Sequence, residues 1–277
     1  MHERRGCARR LNRIGAPTRR SSMASASQEL LRMRQTAVPL SLPQGAGLIE
    51  RAFTRLLMRM VQVTRVEAPQ PDFRFITLQG ESLRHYDWMP GDKVQIKLDG
   101  GLQTRTYTPF EFDPHSGRMR IVGYCHGPGP GADWVRGARA GEARALFGPR
   151  GSLNLQNLAS CTVLFGDETS FGLAAALRRD EPGLHCVFEV VSPTQSRAVL
   201  HALGLGNARL IERRDDDSHM DEAIDAVRRS AEIRTSFVLT GRAPAIQRVG
   251  RALKAHGFDA TQLRSKPYWA PGRSGLD

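Results

Sequence analysis

Near residue 155 the hydrophobic rhythm of the chain changes, and that change limits the folds open to it more than any other feature. Before it, apolar and polar residues alternate with period two: Val61-Gln62-Val63-Thr64-Arg65-Val66, Phe73-Arg74-Phe75-Ile76-Thr77-Leu78 and Lys93-Val94-Gln95-Ile96-Lys97-Leu98. The runs Arg105–Phe110, Met119–Cys125 and Ala143–Phe147 follow, with turn residues such as Pro90-Gly91-Asp92 and Pro114, Ser116 and Gly117 between strands. About six short strands at roughly ten-residue spacing predict a small antiparallel barrel or sandwich. After the change, Cys161–Phe165 is a continuous apolar run, as in a strand buried on both faces. Cys186–Val191, Ala208–Ile211 and Phe237–Thr240 predict further strands, with helical stretches at Phe171–Leu177, Arg197–Leu203, Met220–Arg229 and Ala245–His256. Strand–helix alternation predicts an open α/β sheet with a ligand crevice at the C-terminal ends of its strands.

The residues with the most chemistry lie between Gln103 and Ser152. Arg105-Thr106-Tyr107-Thr108 sits on a β-branched, aromatic run ended by Pro109. Alternation puts Arg105 and Tyr107 on one face, about 7 Å apart, and Thr106 and Thr108 on the other. One cation beside one aromatic plane suits a flat, phosphate-bearing ligand; an ordinary strand with a solvated Arg and a half-buried Tyr has the same pattern. Gly127, Gly129 and Gly131, interleaved with Pro128 and Pro130, then run into Ala132-Asp133-Trp134-Val135. Glycines entering a helix N-terminus leave N–H groups and the positive end of the helix dipole open to an anion. Gly148-Pro149-Arg150-Gly151 completes the stretch.

Five pieces in order, namely Arg105/Tyr107/Thr108, His126 to Trp134, Gly148 to Gly151, Gly166 to Thr169 and Lys266 to Trp269, resemble the siderophore-interacting proteins. These are FAD-dependent ferric-siderophore reductases of the ferredoxin reductase-like group, and the resemblance spans roughly residues 61–277. It implies an antiparallel FAD-binding β-barrel over residues 56–155, followed by a parallel-sheet, NAD(P)H-binding α/β domain over 156–277. The implied flavin contacts are Arg105, Tyr107, Thr108, His126, Gly127, Gly129, Gly131, Ala132, Trp134, Thr169 and Trp269. The implied dinucleotide contacts are Gly166, Asp167, Ser192, Arg197 and Gly241. A basic triad for an anionic ferric siderophore maps to Lys97, Arg150 and Lys266, which also read as a strand-surface charge, a flavin phosphate ligand and a solvated lysine. The implied activity is NAD(P)H-driven reduction of a ferric siderophore to release ferrous iron. The alternative is a general flavin or electron-transfer reductase feeding another protein.

Several departures and alternatives accompany that resemblance. Pro109-Phe110 stands where family members often carry an Arg, and Gly241-Arg242 replaces the usual Gly-Glu pair. The turn after the first parallel strand is GDETS, not GxGxxG, and by itself reads as a helix cap on Thr169 or Ser170. Ser192, Ser196 and Arg197 after the second parallel strand, with no acidic residue for a free ribose hydroxyl, lean toward NADPH over NADH.

The net charge of +12 raises nucleic-acid binding, but residues 1–60 hold twelve arginines against three glutamates, leaving +3 for the rest. The basic character is a tail, expected to be disordered through residue 55. Its Arg pairs lack the apolar core of an export signal, and a transit peptide or a start at Met23, Met33, Met58 or Met60 are other readings. A nucleic-acid-binding module using this arm is the rival outside enzymes. No stretch reaches the ~18–20 apolar residues of a membrane span. Cys7, Cys125, Cys161 and Cys186 form no CxxC or cluster spacing, and His126 has no ligand partner at metal spacing. No metal centre is expected, and the thiols fit a reducing, cytoplasmic protein, expected to be a monomer without a stable nucleic-acid partner.

Overall fold

The computed structural model describes residues 58–99 and 103–273. The basic tail, Cys7, Met23 and Met33 lie outside the described residues. Seven antiparallel strands come first: β1 (Arg59–Gln70), β2 (Phe73–Gln79), β3 (Lys93–Lys97), β4 (Thr104–Tyr107), β5 (Pro109–Asp113), β6 (Arg118–Tyr124) and β7 (Ala143–Arg150). They form one sheet in the order β4-β3-β7-β1-β2-β6-β5. The period-two pattern is realised directly: Val94 and Ile96 are fully buried, whereas Gln95 and Lys97 between and beyond them are only half-buried. Val61, Val63, Ile76, Leu78, Met119, Ile121 and Leu146 complete that interior.

The single strand expected over Arg105–Phe110 is two strands. Pro109 has no N–H to donate, and the residue before a proline is pushed to extended backbone. The chain turns a corner at Thr108, leaving β4 paired with β3 and β5 with β6. One residue thus joins the two edges of the sheet, which curls round on itself. No ladder joins β4 to β5 among the described residues; the curled sheet is joined at this corner by the chain itself. Helix α1 (Pro130–Gly137) lies across the gap between β4 and β6. It does so through two glycines: a Cβ on Gly131 would meet Arg105 Cγ at 2.8 Å, and one on Gly123 would meet Val135 Cγ1 at 2.6 Å.

The second sheet is wholly parallel, in the order β10 (Arg209–Glu212), β9 (Leu184–Val190), β8 (Cys161–Gly166), β11 (Thr235–Arg242), β12 (Leu263–Trp269). Helices α2 (Phe171–Leu177) and α3 (Pro193–Ala202) cover one face with Leu164, Phe188 and Val238. Helices α4 (Met220–Arg229) and α5 (Ala243–Ala255) cover the other with Val163, Phe165, Phe237 and Leu239. With both faces covered, every residue of β8 and β11 is buried. Strand β12 is absent from the sequence-based expectation. It is an edge strand carrying Arg264, Ser265, Lys266 and Pro267, whose polarity hides its pairing. The chain crosses from β8 to β9 on one side and from β9 and β10 back to β11 on the other, so the switch point lies between β8 and β11.

The two sheets share apolar packing through α2. Phe171 stacks on Phe73 of β2 at 5.8 Å with an interplanar angle of 5°. A Cβ on Gly172 would sit 2.7 Å from the Thr108 carbonyl oxygen, so only glycine lets the helix approach the corner.

Candidate functional site

On β4, Arg105 and Tyr107 are half-buried on one face while Thr106 is exposed, as alternation requires. The Arg105 stem lies along Gly131, and its Nη1 donates to the Thr104 carbonyl at 2.9 Å. Tyr107 packs at 5.5 Å against Trp134 of α1, and burial holds its hydroxyl far above the usual tyrosine range. Thr108 is hydrogen-bonded to Tyr268 of β12, which also bonds Thr240 of β11, tying the corner to the second sheet.

The glycine–proline loop is an open cradle. A Cβ added at Gly127 (φ 61°) or Gly129 (φ 143°) would meet nothing within 4 Å. Gly129 precedes α1 without supplying a side-chain cap, and Pro130 has no N–H, so Gly131 and Ala132 carry amides that the helix itself leaves without acceptors. Arg136, absent from the sequence-based set, braces the loop by donating to the Gly127 carbonyl at 3.0 Å. Uncapped N–H groups, space no side chain fills, and the Arg105 cation beside Gly131 together fit a diphosphate.

Opposite this cradle stand the C-terminal ends of the parallel strands. Asp167, completely buried after β8, accepts from the Thr169 amide at 2.9 Å and from the Thr169 hydroxyl. Asp167, rather than Thr169 or Ser170, therefore supplies the cap expected in GDETS, because its carboxylate reaches two residues forward. Trp269 Nε1 donates to the other Asp167 oxygen at 2.6 Å. Burial raises the Asp167 pKa, partly opposed by its hydrogen bonds to Thr169 and Trp269. Gly241 (φ 98°) passes so close that a Cβ would sit 2.8 Å from the Asp167 carboxyl group, and a Cβ on Gly166 would collide with Ser170.

Trp269 stacks on His126 at 5.8 Å, and His126 lies 5.6 Å from Tyr124, so the loop of the first sheet touches the last strand of the second. Burial among these rings lowers the His126 pKa, against the raising effect of Asp167. Glu168, also buried, accepts from the Val191 amide at 2.6 Å and the Tyr124 hydroxyl at 3.3 Å, and pairs with Arg213 at 3.5 Å. Burial pushes Glu168 up to about 7, with Arg213 opposing the shift.

Two sequence-based assignments to the dinucleotide meet different surroundings. Ser192 caps α3, its Oγ accepting from Gln195 N at 3.4 Å. Arg197 is turned to the backbone, donating to Gly206 O at 3.0 Å and Ala208 O at 2.6 Å. Through Nη1 it anchors the loop before β10. Of the three cations, Arg150 donates to Gln95 at 2.7 Å and lies over Phe147 at 4.9 Å. Gln95 and Lys97 alternate onto one face of β3, so Arg150 and Lys97 share a face. Lys266 lies on β12, in register with Thr240.

The sequence reading missed Tyr124, Glu168 and Arg213, and it missed a buried network behind them. Arg242 grips Glu189 through Nε at 2.8 Å and Nη2 at 2.9 Å, and Asp217 through Nη2 at 2.6 Å. His219 Nδ1 accepts from the Arg214 amide at 3.2 Å, so Nε2 carries the proton and donates to Glu189 at 2.8 Å. A charged residue inside the apolar run Cys186–Val191, and the Gly-Arg pair at 241–242, were the available signals.

Residues 95–153 match the family described as the siderophore-interacting FAD-binding domain. The chain is 24% identical over 214 residues to the NADPH-dependent ferric-chelate reductase of Escherichia coli (strain K12), covering 73% of this chain and 76% of that protein. Among solved structures, the siderophore-interacting protein SipS from Aeromonas hydrophila superposes with a TM-score of 0.66 at 19% identity, covering 79% of this chain and 93% of SipS. Phthalate dioxygenase reductase superposes with a TM-score of 0.62 at 14% identity, covering 78% of this chain and 70% of that one. An antiparallel sheet followed by a parallel sheet in this order is the ferredoxin reductase-like arrangement. Residues 95–153 match the siderophore-interacting FAD-binding domain, and in fold the chain is similar to the siderophore-interacting proteins.

Proposed function

We propose that this chain is an FAD-dependent enzyme that uses NAD(P)H to reduce ferric siderophores and release ferrous iron. The observation that carries the reading is the open, uncapped cradle at Gly127–Ala132 with Arg105 beside it, inside the segment that matches the FAD-binding family. The E. coli relative, an NADPH-dependent ferric-chelate reductase, supports the substrate class and the choice of NADPH.

In this reading, residues 56–155 hold FAD and residues 156–277 hold the dinucleotide. Gly131 and Ala132 amides and the Arg105 guanidinium would hold the FAD diphosphate. His126 and Trp269, already stacked on each other, would hold the flavin ring together with Thr108 and Thr169. Bound FAD would supply the exchange between two-electron hydride chemistry and the one-electron reduction of iron. The chain's part is to bind, orient and exclude water. Lys97, Arg150 and Lys266 attract the anionic chelate, and ferrous iron leaves because hard oxygen ligands hold it more weakly than ferric iron. Among the described residues no helix is long and apolar enough to cross a membrane. The free thiols Cys125, Cys161 and Cys186 suit a reducing cytoplasm.

The test is the visible spectrum of purified protein under anaerobic NADPH, followed by a ferric siderophore and a ferrous trap. Bleaching by NADPH, recovery on adding the chelate and trapped ferrous iron are expected. Bleaching without transfer to any ferric chelate would favour a reductase serving another protein. Failure to bind FAD would sink the proposal.

A further inference from the structure

Arg213 has no task in the sequence-based set, yet it occupies the middle of the dinucleotide crevice. It follows β10, one edge of the parallel sheet, and its guanidinium carbon lies 5.7 Å from the ring of Trp269, which ends β12 at the opposite edge. Those edges are four strand spacings apart, roughly 19 Å. The two side chains therefore reach toward each other over the strand ends, above Glu168 at the end of β8, beside the switch point where a nucleotide crosses an open α/β sheet.

At that point a dinucleotide's phosphates ordinarily meet a glycine-rich turn and a free helix N-terminus. Neither is present here. The turn is Gly166-Asp167-Glu168-Thr169-Ser170, and the Thr169 amide is already taken by the Asp167 carboxylate. With that amide taken, a donor for phosphate has to come from outside the turn. Arg213 supplies one: its side chain is only 16% exposed, and its buried Nη1 lies 3.5 Å from Glu168 Oε2 in an ion pair without making a hydrogen bond. Its backbone is fixed by the Arg213 N–H to Val190 O bond at 2.8 Å. The following residues are held by the contacts of Asp217 and His219 with Arg242 and Glu189.

Resting on the proposed NAD(P)H-dependent activity, we propose that Arg213 binds the diphosphate bridge common to NADH and NADPH, replacing the glycine-rich loop with a side-chain fork. A guanidinium offers two parallel donors matched to phosphate oxygens. The central position over Glu168, rather than out beyond Ser192 on the β9 side, assigns the diphosphate and not a 2′-phosphate.

Calorimetric titration of ADP-ribose into the full-length, FAD-loaded protein tests this directly. Arg213→Gln is expected to weaken ADP-ribose binding by about 30-fold, the loss of one charge-assisted contact. KM for NADH and NADPH should rise by that same factor, and Arg213→Lys should fall between, keeping the charge without the fork. Unchanged ADP-ribose affinity in Arg213→Gln overturns the assignment, as does a loss confined to NADPH and 2′-phospho-ADP-ribose. The melting temperature and flavin spectrum report whether each variant is folded; if Arg213→Gln does not fold, equal affinity in Arg213→Lys and wild type overturns it. A wild-type protein that binds no ADP-ribose and is reduced by neither dinucleotide sinks the activity itself, a result distinguishable from either of these.

Discussion

The two walls of the crevice are built from opposite materials. On the antiparallel side, the cradle at Gly127–Ala132 is bare backbone with open space around it and a partly exposed Arg105. On the parallel side, Asp167, Glu168, Glu189, His219 and Arg242 are buried and already bonded to one another or to their neighbours. One wall leaves its donors for a ligand to satisfy; the other satisfies nearly all of its own. Changes on the parallel side should therefore appear first as lost stability, and changes on the antiparallel side as lost flavin affinity.

The largest test of that contrast is Arg242→Met. It leaves Glu189 buried without its bidentate partner, and removing one member of a buried pair costs about 3–5 kcal/mol. Urea unfolding should show this, with flavin affinity of the folded fraction little altered; a loss below about 1 kcal/mol would refute the contrast. Next comes the pH profile. Glu168 holds its proton more tightly folded than unfolded, so its contribution is full below about pH 4.5 and is lost as pH rises through about 7. By the size of that shift, roughly 3 kcal/mol disappears across the window, and Glu168→Gln should flatten that part of the profile. A wild-type curve with no decline there would show that Glu168 is not held protonated.

Gly241→Ala sharpens the comparison at a single atom. Its φ of 98° and the Asp167 carboxyl group 2.8 Å from the new methyl predict about 2 kcal/mol of destabilisation in a melting or denaturant experiment. The smallest effect is expected across the crevice. Gly131→Ala pushes on the flexible stem of Arg105, which can shift, so stability should change little while FAD binds about tenfold more weakly, or ~1.4 kcal/mol. Flavin fluorescence titration measures it, and unaltered FAD affinity would remove Arg105 and Gly131 from the cofactor contacts.

What the sequence revealed follows the same division. Strand rhythm was readable because buried faces impose period two on β3 and continuous apolarity on β8, and the cradle was readable because glycines and prolines advertise backbone geometry locally. The break at Thr108 was marked by Pro109 but read as an end, since nothing local says that a chain resumes as a strand at the far edge. Strand β12 was hidden by edge polarity. The buried charges were hidden more deeply: Arg242 meets Glu189 across 53 positions and Trp269 meets Asp167 across 102. A buried charge is recognisable only with its partner, and here each partner lies in another strand or loop.

The place of β7 in the first sheet sets an order of events for a chain leaving the ribosome. The β3–β4 hairpin, which carries Arg105 and Tyr107, has β7 as its one other hydrogen-bonded neighbour among the described strands, and β7 is the last of the seven to be made. β1, β2, β6 and β5 can pair among themselves beforehand, but the hairpin cannot join them until residues 143–150 slot between β3 and β1. Pulsed hydrogen exchange during refolding should then show the amides of Thr104–Tyr107 gaining protection in the same phase as Ala143–Arg150, and later than those of β1 and β2. The corner proposed to hold the cofactor would be among the last parts of its sheet to exist.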